Sequence, residues 1–321
     1  MMTTRIIGTG SALPKKTLTN DELSQIMDTS DEWIRTRTGI VSRHVADEEE
    51  TAATLAAEAG RRAIDNAGMK PEDIELVLVA TCSAENYFPS VGCQVQDILG
   101  LKNAAAMDIS AACSGFLFAL NTAHAYILSG LYEKILVIGT ETLSRTIDWT
   151  DRSTCVLFGD GAGACVVRSD EEGIIGISQH SDGTQGGVLT SFAPSLETPL
   201  AAAAPGSPLY MEGQAVFKFA VKTVPECIRQ VLEDNHTEVE DVKYFVLHQA
   251  NSRIIQSVAK RLKADEEKFP MNLDKCGNTS AASIPILLDE MNRSNKLGRG
   301  DLLVLSGFGA GLTWGAALLR W

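Results

Sequence analysis

Met107-Asp108-Ile109-Ser110-Ala111-Ala112-Cys113-Ser114-Gly115-Phe116-Leu117-Phe118-Ala119-Leu120 places a cysteine at the head of an apolar helical run. The first N–H groups of a helix have no intrahelical partner and carry about half a positive charge, so a sulfur placed there is more easily ionised and meets ready donors for an oxyanion. A lone Cys between Ala and Gly also serves as small core filling, so its company decides. His248-Gln249-Ala250-Asn251 follows the apolar run Tyr244-Phe245-Val246-Leu247, and Gly277-Asn278-Thr279-Ser280 follows a stretch at 269–273 that reads as a strand. Ends of parallel strands are where α/β folds build active sites, which makes Cys113, His248 and Asn278 candidates for one catalytic centre.

Working outward, strand-like runs at 74–80, 135–139, 164–168, 244–247 and 302–305 alternate with helical patterns at 51–67, 113–129, 216–233 and 252–262. This alternation predicts an α/β chain with a mostly parallel sheet and covering helices. The two halves echo each other. Leu76-Val77-Leu78-Val79-Ala80-Thr81-Cys82 resembles Tyr244-Phe245-Val246-Leu247-His248-Gln249, residues 107–120 resemble 271–288, and Phe158-Gly159-Asp160-Gly161-Ala162-Gly163 resembles Phe308-Gly309-Ala310-Gly311. A duplication is expected, with Cys113 and Asn278 at related positions of two halves facing one cavity. The polar turn Ser169-Asp170-Glu171-Glu172-Gly173 sets the expected boundary, giving halves 1–172 and 173–321. Residues 184–208, rich in Gly, Ala, Pro and Ser, read as a long surface connection.

Composition bounds the function. The chain has 321 residues, 45% apolar and 21% charged, with a formal net charge of −13. That charge argues against general binding to nucleic acid or an anionic membrane, and requires any acidic partner to be met by a local basic patch. The uncharged stretches 109–132 and 302–319 carry too many polar or Gly residues for a lipid-facing helix and read as core. No signal-peptide pattern opens the chain, so the cytoplasm is the expected compartment. Seven scattered cysteines without a Cys-x-x-Cys pair fit neither a disulfide framework nor a zinc site, and no metal is expected.

Two other motifs compete. Gly159-Asp160-Gly161-Ala162-Gly163-Ala164 matches the dinucleotide fingerprint, yet a strand (Cys165-Val166-Val167) follows it, so the glycines read as a tight turn. The order Cys, His, Asn is also that of papain-like proteases, whose local cysteine signature is missing here. His44 and His236 read as solvated and His124 as a core histidine with a hydrogen bond.

Across Ile6-Ile7-Gly8-Thr9-Gly10-Ser11, Asp28-Thr29-Ser30-Asp31-Glu32-Trp33-Ile34, Thr36-Arg37-Thr38-Gly39-Ile40, Phe158 to Ala164, His248-Gln249-Ala250-Asn251 and Gly277-Asn278-Thr279-Ser280-Ala281-Ala282-Ser283, the chain resembles the β-ketoacyl-acyl carrier protein synthase III family, the initiating condensing enzymes of bacterial fatty acid synthesis. The resemblance implies a thiolase-like five-layered αβαβα fold from two duplicated halves. It also implies an acyltransferase that condenses a short acyl-CoA, by expectation acetyl-CoA, with malonyl-acyl carrier protein. Cys113, His248 and Asn278 would form the triad, with the Cys113 and Gly309 N–H groups as oxyanion hole. Trp33 and Arg152 would hold the adenine of coenzyme A, and Thr29, Arg37, Gly213 and Asn251 the rest of its tunnel. Phe88 would cap the acyl pocket across a homodimer interface. Lys218, Arg253, Lys260 and Arg261 would form the basic patch for the carrier protein; Arg253 and Lys260 are seven residues apart on one expected helix and so share a face.

No cofactor is implied. Gln214, Ala310, Leu312 and Cys82 depart from the family pattern and bear on acyl preference; Cys276, beside Asn278, reads as a buried, inert thiol. Two rival readings share the fold: a condensing enzyme of secondary metabolism, and a non-catalytic acyl-binding partner subunit, which the intact triad opposes.

Overall fold

The computed structural model describes residues 2–321, which build two sheets of matching topology. The first runs in the order Thr3–Ala12, Gly161–Asp170, Lys134–Glu141, Leu76–Ala80, Ala105–Ile109, antiparallel across its first three strands and parallel across its last three. The second repeats it as Ile174–Ser181, Thr313–Arg320, Leu302–Gly309, Tyr244–Leu247. The chain passes from one sheet to the other through residues 171–173, between Asp170 and Ile174.

Side chains alternate across a strand, so a strand buried on both faces is apolar throughout and feeds two cores. Leu76, Leu78 and Ala80 pack on the central helices Gly115–Leu128 and Ser283–Arg293, where Val246, Leu303 and Leu305 of the second sheet meet them. Val77 and Val79 point outward to Ala52–Asn66 and Val91–Leu99. Phe245, Leu247 and Val304 pack on Gly213–Asp234 and Ser252–Leu262. The result is helix, sheet, helix, sheet, helix: the thiolase-like five-layered fold. Each fully buried Leu, Ile, Val or Phe in these layers contributes about 1.5–3 kcal/mol.

Three expectations need correction. Residues 269–273 form no strand, and the second sheet lacks a fifth member. Pro270 has no N–H to give a ladder, and the Gln249 side chain stands in for a neighbouring strand, donating from Nε2 to Pro270 O (3.5 Å) and accepting from Asn272 N–H (3.1 Å).

The duplication is offset. The turn Ala112–Ser114 matches the turn Ser280–Ala282; each has a left-handed residue at its head (Ala112 φ 46°, Ser280 φ 49°) and leads into a central helix. Cys113 is therefore the counterpart of Ala281, and Asn278 stands upstream of its turn. The stretch 184–208 is also more than a connection. Its flanks Leu189–Phe192 and Ser207–Met211 pair as a two-stranded flap over the cavity described next.

Candidate active site

Cys113 sits at the meeting of two cavities. One is a tunnel of about 220 Å³, lined by Trp33, Arg37, Arg152, Gly213 and Asn251 towards its mouth and by His248, Asn278, Phe308 and Gly309 beside the sulfur. The other, about 530 Å³, is lined by Cys82, Leu143, Phe158, Leu189, Phe192, Leu209, Ser280 and Ala310. The three triad candidates are brought together and buried, with Cys113 9%, His248 2% and Asn278 6% exposed.

Each is held by its own device. Cys113 rides the tight turn set by Ala112, against Gly309, where a Cβ would come within 2.7 Å of the Cys113 nitrogen and 3.1 Å of its Cβ. Only glycine lets the two backbones approach so closely. His248 leaves the end of its strand with Nδ1 2.7 Å from Ser283 Oγ and its ring edge-on to Phe308, centroids 5.3 Å apart. Nε2 remains free for the cavity.

Asn278 is clamped by the other half of the molecule: its N–H donates to Leu157 O (2.8 Å) and its carbonyl accepts from Gly159 N–H (3.0 Å). Its Oδ1 accepts from Ser280 N–H (2.9 Å), which leaves the Nδ2 donors for the cavity. The Gly159 motif is thus a close-packed turn, followed by the strand Gly161–Asp170; a Cβ on Gly159 would lie 2.4 Å from Cys276 O.

Burial dominates the electrostatics. It pushes the Cys113 thiol up to about 12, with the Ser280 hydroxyl opposing and Glu141 assisting. The ready ionisation expected from a helix start is overridden here, because desolvating a thiolate costs more than one hydrogen bond and the turn's N–H groups return. Burial likewise pulls His248 down to about 3, so its imidazole is neutral at neutral pH. Cys276 is 2% exposed and pushed up to about 12, a buried thiol.

At the tunnel mouth the Arg37 and Arg152 guanidiniums lie 4.5 and 4.7 Å from the centre of the Trp33 ring. Asn251 Nδ2 donates to Arg37 O (3.1 Å) while its Oδ1 caps the helix Ser252–Leu262 at Arg253 N–H. Thr29 is not in the tunnel lining; its buried Oγ1 has no hydrogen-bond partner. Phe88 is 85% exposed and lines neither cavity of its own chain. Lys218, Arg253, Lys260 and Arg261 are exposed on two neighbouring helices, and among the described residues none of them forms an ion pair. His124 Nδ1 meets Thr4 Oγ1 at 2.8 Å, as expected of a core histidine, whereas His44, expected to be solvated, is half-buried in the strand Ser42–Val45 with Nδ1 2.7 Å from Pro14 O.

Sequence reasoning missed Ser280 and Ser283 as working parts although both stand inside the quoted Gly277 to Ser283 motif. It also missed Glu141, whose signal is a carboxylate closing a strand that is apolar from Ile135 to Gly139. Among the described residues no cluster of three His, Cys, Asp or Glu could hold a metal ion, and no helix is long and apolar enough to cross a membrane.

A buried cysteine, a neutral histidine and an asparagine amide at the foot of a tunnel between duplicated halves define a condensing enzyme of the thiolase fold. The family described as 3-oxoacyl-[acyl-carrier-protein] synthase III matches residues 107–183, and its C-terminal part matches residues 232–321. The β-ketoacyl-[acyl-carrier-protein] synthase III of Clostridium acetobutylicum is 49% identical, covering 100% of this chain and 99% of that protein. The crystal structure of 3-oxoacyl-[acyl-carrier-protein] synthase III from Aquifex aeolicus is 46% identical with a TM-score of 0.92 over 99% of this chain and 100% of that one. A priming β-ketosynthase of a polyketide biosynthetic pathway is 38% identical with a TM-score of 0.93, covering 99% and 96%. The chain belongs to the β-ketoacyl-acyl carrier protein synthase III family, and it is an acyltransferase of the condensing type.

Proposed function

We propose that this enzyme condenses a short acyl-CoA, preferentially acetyl-CoA, with malonyl-acyl carrier protein and so initiates fatty acid synthesis. The observation that carries the reading is the convergence of Cys113, His248 and Asn278 at the foot of a tunnel whose mouth holds Trp33, Arg37 and Arg152.

In the first half-reaction the Cys113 sulfur attacks the thioester carbonyl. Its proton passes to His248 Nε2 and then to the departing coenzyme A sulfur, while the developing oxyanion takes the Cys113 and Gly309 N–H groups. An imidazole with a pKa near 3 holds that proton only in passing. Ser283 Oγ can accept from Nδ1–H or donate to Nδ1, so it serves His248 in either tautomer. In the second half-reaction the malonyl carboxylate leaves as carbon dioxide, and the thioester oxygen takes up the negative charge. His248 Nε2–H and Asn278 Nδ2–H donate to that oxygen, each such donor being worth about 3–4 kcal/mol of barrier. The carbanion attacks the acyl-Cys113 carbonyl, the tetrahedral intermediate collapses with cleavage of the carbon–sulfur bond, the Cys113 thiolate takes a proton from solvent, and the β-ketoacyl product departs on its carrier. No step calls on a metal or redox cofactor.

Coenzyme A would lie along Arg37, Gly213 and Asn251, with its adenine at Trp33 and Arg152. Arg152 rests directly on the Trp33 ring, so an adenine entering between them must part the pair. Thr29, outside the tunnel lining, would join only as that mouth rearranges. Phe88, exposed on its own subunit, would cap the larger cavity of a partner in a homodimer and limit acyl length. Lys218, Arg253, Lys260 and Arg261 would dock the acidic carrier protein. The division at residue 172 would separate the half that supplies the nucleophile from the half that supplies its donors, and the cytoplasm is the proposed compartment.

The test is turnover with a panel of acyl-CoAs and malonyl-acyl carrier protein. Acetyl-CoA is expected to lead; faster turnover with octanoyl-CoA or a branched primer overturns the size argument. The likeness to a polyketide priming synthase supports a second reading, priming of a secondary product, which a carrier protein of that pathway outperforming the fatty acid carrier would favour.

A further inference from the structure

Behind the nucleophile lies a carboxylate that the reaction above does not use. Glu141 ends the strand Lys134–Glu141 with no exposed surface. Its Oε2 accepts from Ser83 Oγ (2.5 Å), Cys82 N–H (3.1 Å) and Thr81 Oγ1 (3.4 Å), and its Oε1 accepts from Ser280 Oγ (3.0 Å) and Cys82 Sγ (3.3 Å). A buried carboxylate costs several kcal/mol to desolvate, and the five donors gathered on Glu141 offset that cost. The donors come from both halves: Thr81, Cys82 and Ser83 follow a strand of the first sheet, and Ser280 belongs to the turn of the second half.

The bond to Ser280 is the informative one. Ser280 holds a left-handed backbone (φ 49°) that a serine does not favour, and its N–H is the donor that fixes Asn278 Oδ1. If Ser280 relaxes, the Asn278 amide loses its anchor and its Nδ2 donors lose their aim. Cys82 and Ser280 both also face the larger cavity beside Cys113.

We propose that Glu141 is a positioning residue of the condensation step, holding Ser280 in its turn and thereby orienting the Asn278 amide towards the enolate oxygen. The inference rests on the role given to Asn278 above. Glu141 has a second, smaller effect: beyond burial, its nearby carboxylate further disfavours the Cys113 thiolate.

The experiment compares wild type, Glu141→Gln, Ser280→Ala, the double variant and Asn278→Ala, all in the full-length chain. Carbon dioxide release from malonyl-acyl carrier protein and acyl-enzyme formation from acetyl-CoA, read by intact mass, separate the half-reactions. Each single variant is expected to slow decarboxylation by about tenfold or more, as small misplacements of a catalytic group do. Acyl-enzyme formation in Glu141→Gln should stay within about threefold, and decarboxylation by the double variant should be no worse than by the poorer single one, because both break one chain. Glu141→Gln should also move the pH dependence of iodoacetamide labelling of Cys113, located by peptide mass, to lower pH; a merely structural defect raises labelling at every pH without that shift. Normal decarboxylation in Glu141→Gln, equal loss of both half-reactions, or labelling without that shift overturns the proposal. If Asn278→Ala itself decarboxylates normally, the assignment of Asn278 fails instead, which keeps the two failures apart.

Discussion

The turns Ala112–Ser114 and Ser280–Ala282 share backbone shape, a left-handed first residue and a following central helix, yet only one carries a nucleophile. Both middle residues are buried, Cys113 9% and Ala281 1% exposed, so burial alone does not separate their roles. Their surroundings do. The first turn looks across at Gly309 and into two cavities, whereas the second is pressed against the first sheet, where a Cβ on Gly139 would lie 2.3 Å from Ala281 O. The duplicated turn thus carries a nucleophile where its middle residue faces substrate space, and supports Asn278 where its middle residue, Ala281, faces none.

The sharpest way to break this comparison is to remove one member at a time. Cys113→Ser should abolish acyl-enzyme formation, whereas Asn278→Ala should still acylate and lose about 100- to 1000-fold in decarboxylation, the usual cost of one preorganised donor. Intact mass and carbon dioxide release measure the two. If folded Asn278→Ala neither acylates nor decarboxylates, the division of labour is wrong.

Moving the sulfur tests the same point. Cys113→Ala combined with Ala281→Cys places a thiol on the matching turn at a position that lines neither cavity, and no acyl mass should be added by acetyl-CoA. Acylation at position 281 would mean that the turn alone makes the nucleophile.

The two glycines that face the turns should differ in kind of damage. Gly309→Ala should cut acylation about 100-fold through displacement of the Cys113 N–H, with a modest loss of stability. Gly139→Ala should destabilise by about 1–3 kcal/mol, seen as a lower melting temperature, because the new methyl meets backbone rather than a side chain that can move. Equal catalytic loss at equal stability in both variants would erase the distinction.

Proton affinity gives a further contrast. A thiol raised to about 12 exposes more thiolate at each step up in pH, so labelling of resting Cys113 by iodoacetamide should climb about tenfold per pH unit through pH 10 without a plateau. A plateau below pH 9 would show that the N–H groups of the turn outweigh burial. The smallest effect is expected at the surface. Charge reversal at Arg253 and Lys260 should raise the apparent KM for malonyl-acyl carrier protein by about three- to tenfold and leave acylation by acetyl-CoA unchanged. Equal change in both steps would remove these side chains from docking.

Periodicity and motif order carried much of this protein in its sequence. The apolar runs around 76–80 and 244–247 are strands buried on two faces, and a strand of that kind must sit between two helical layers, so the layered α/β architecture and its repetition were legible. Cys113 and His248 were legible because each follows a local pattern, a helix start or a strand end, that chemistry reuses; Asn278 was legible through its Gly277 to Ser283 motif, since the strand expected before it does not form. What sequence alone could not decide depends on distant backbones meeting. Pro270 and the Gln249 side chain removed an expected strand, and the match of Cys113 to Ala281 required the turn geometry. Desolvation of Cys113 and His248 depends on how many atoms the whole fold packs around them, and the Glu141 cluster joins residues 81–83, 141 and 280 that no local pattern connects. Local sequence sets which elements form and which face they bury; only the packing of two halves against each other sets the electric environment in which the sulfur, the imidazole and the amide must work.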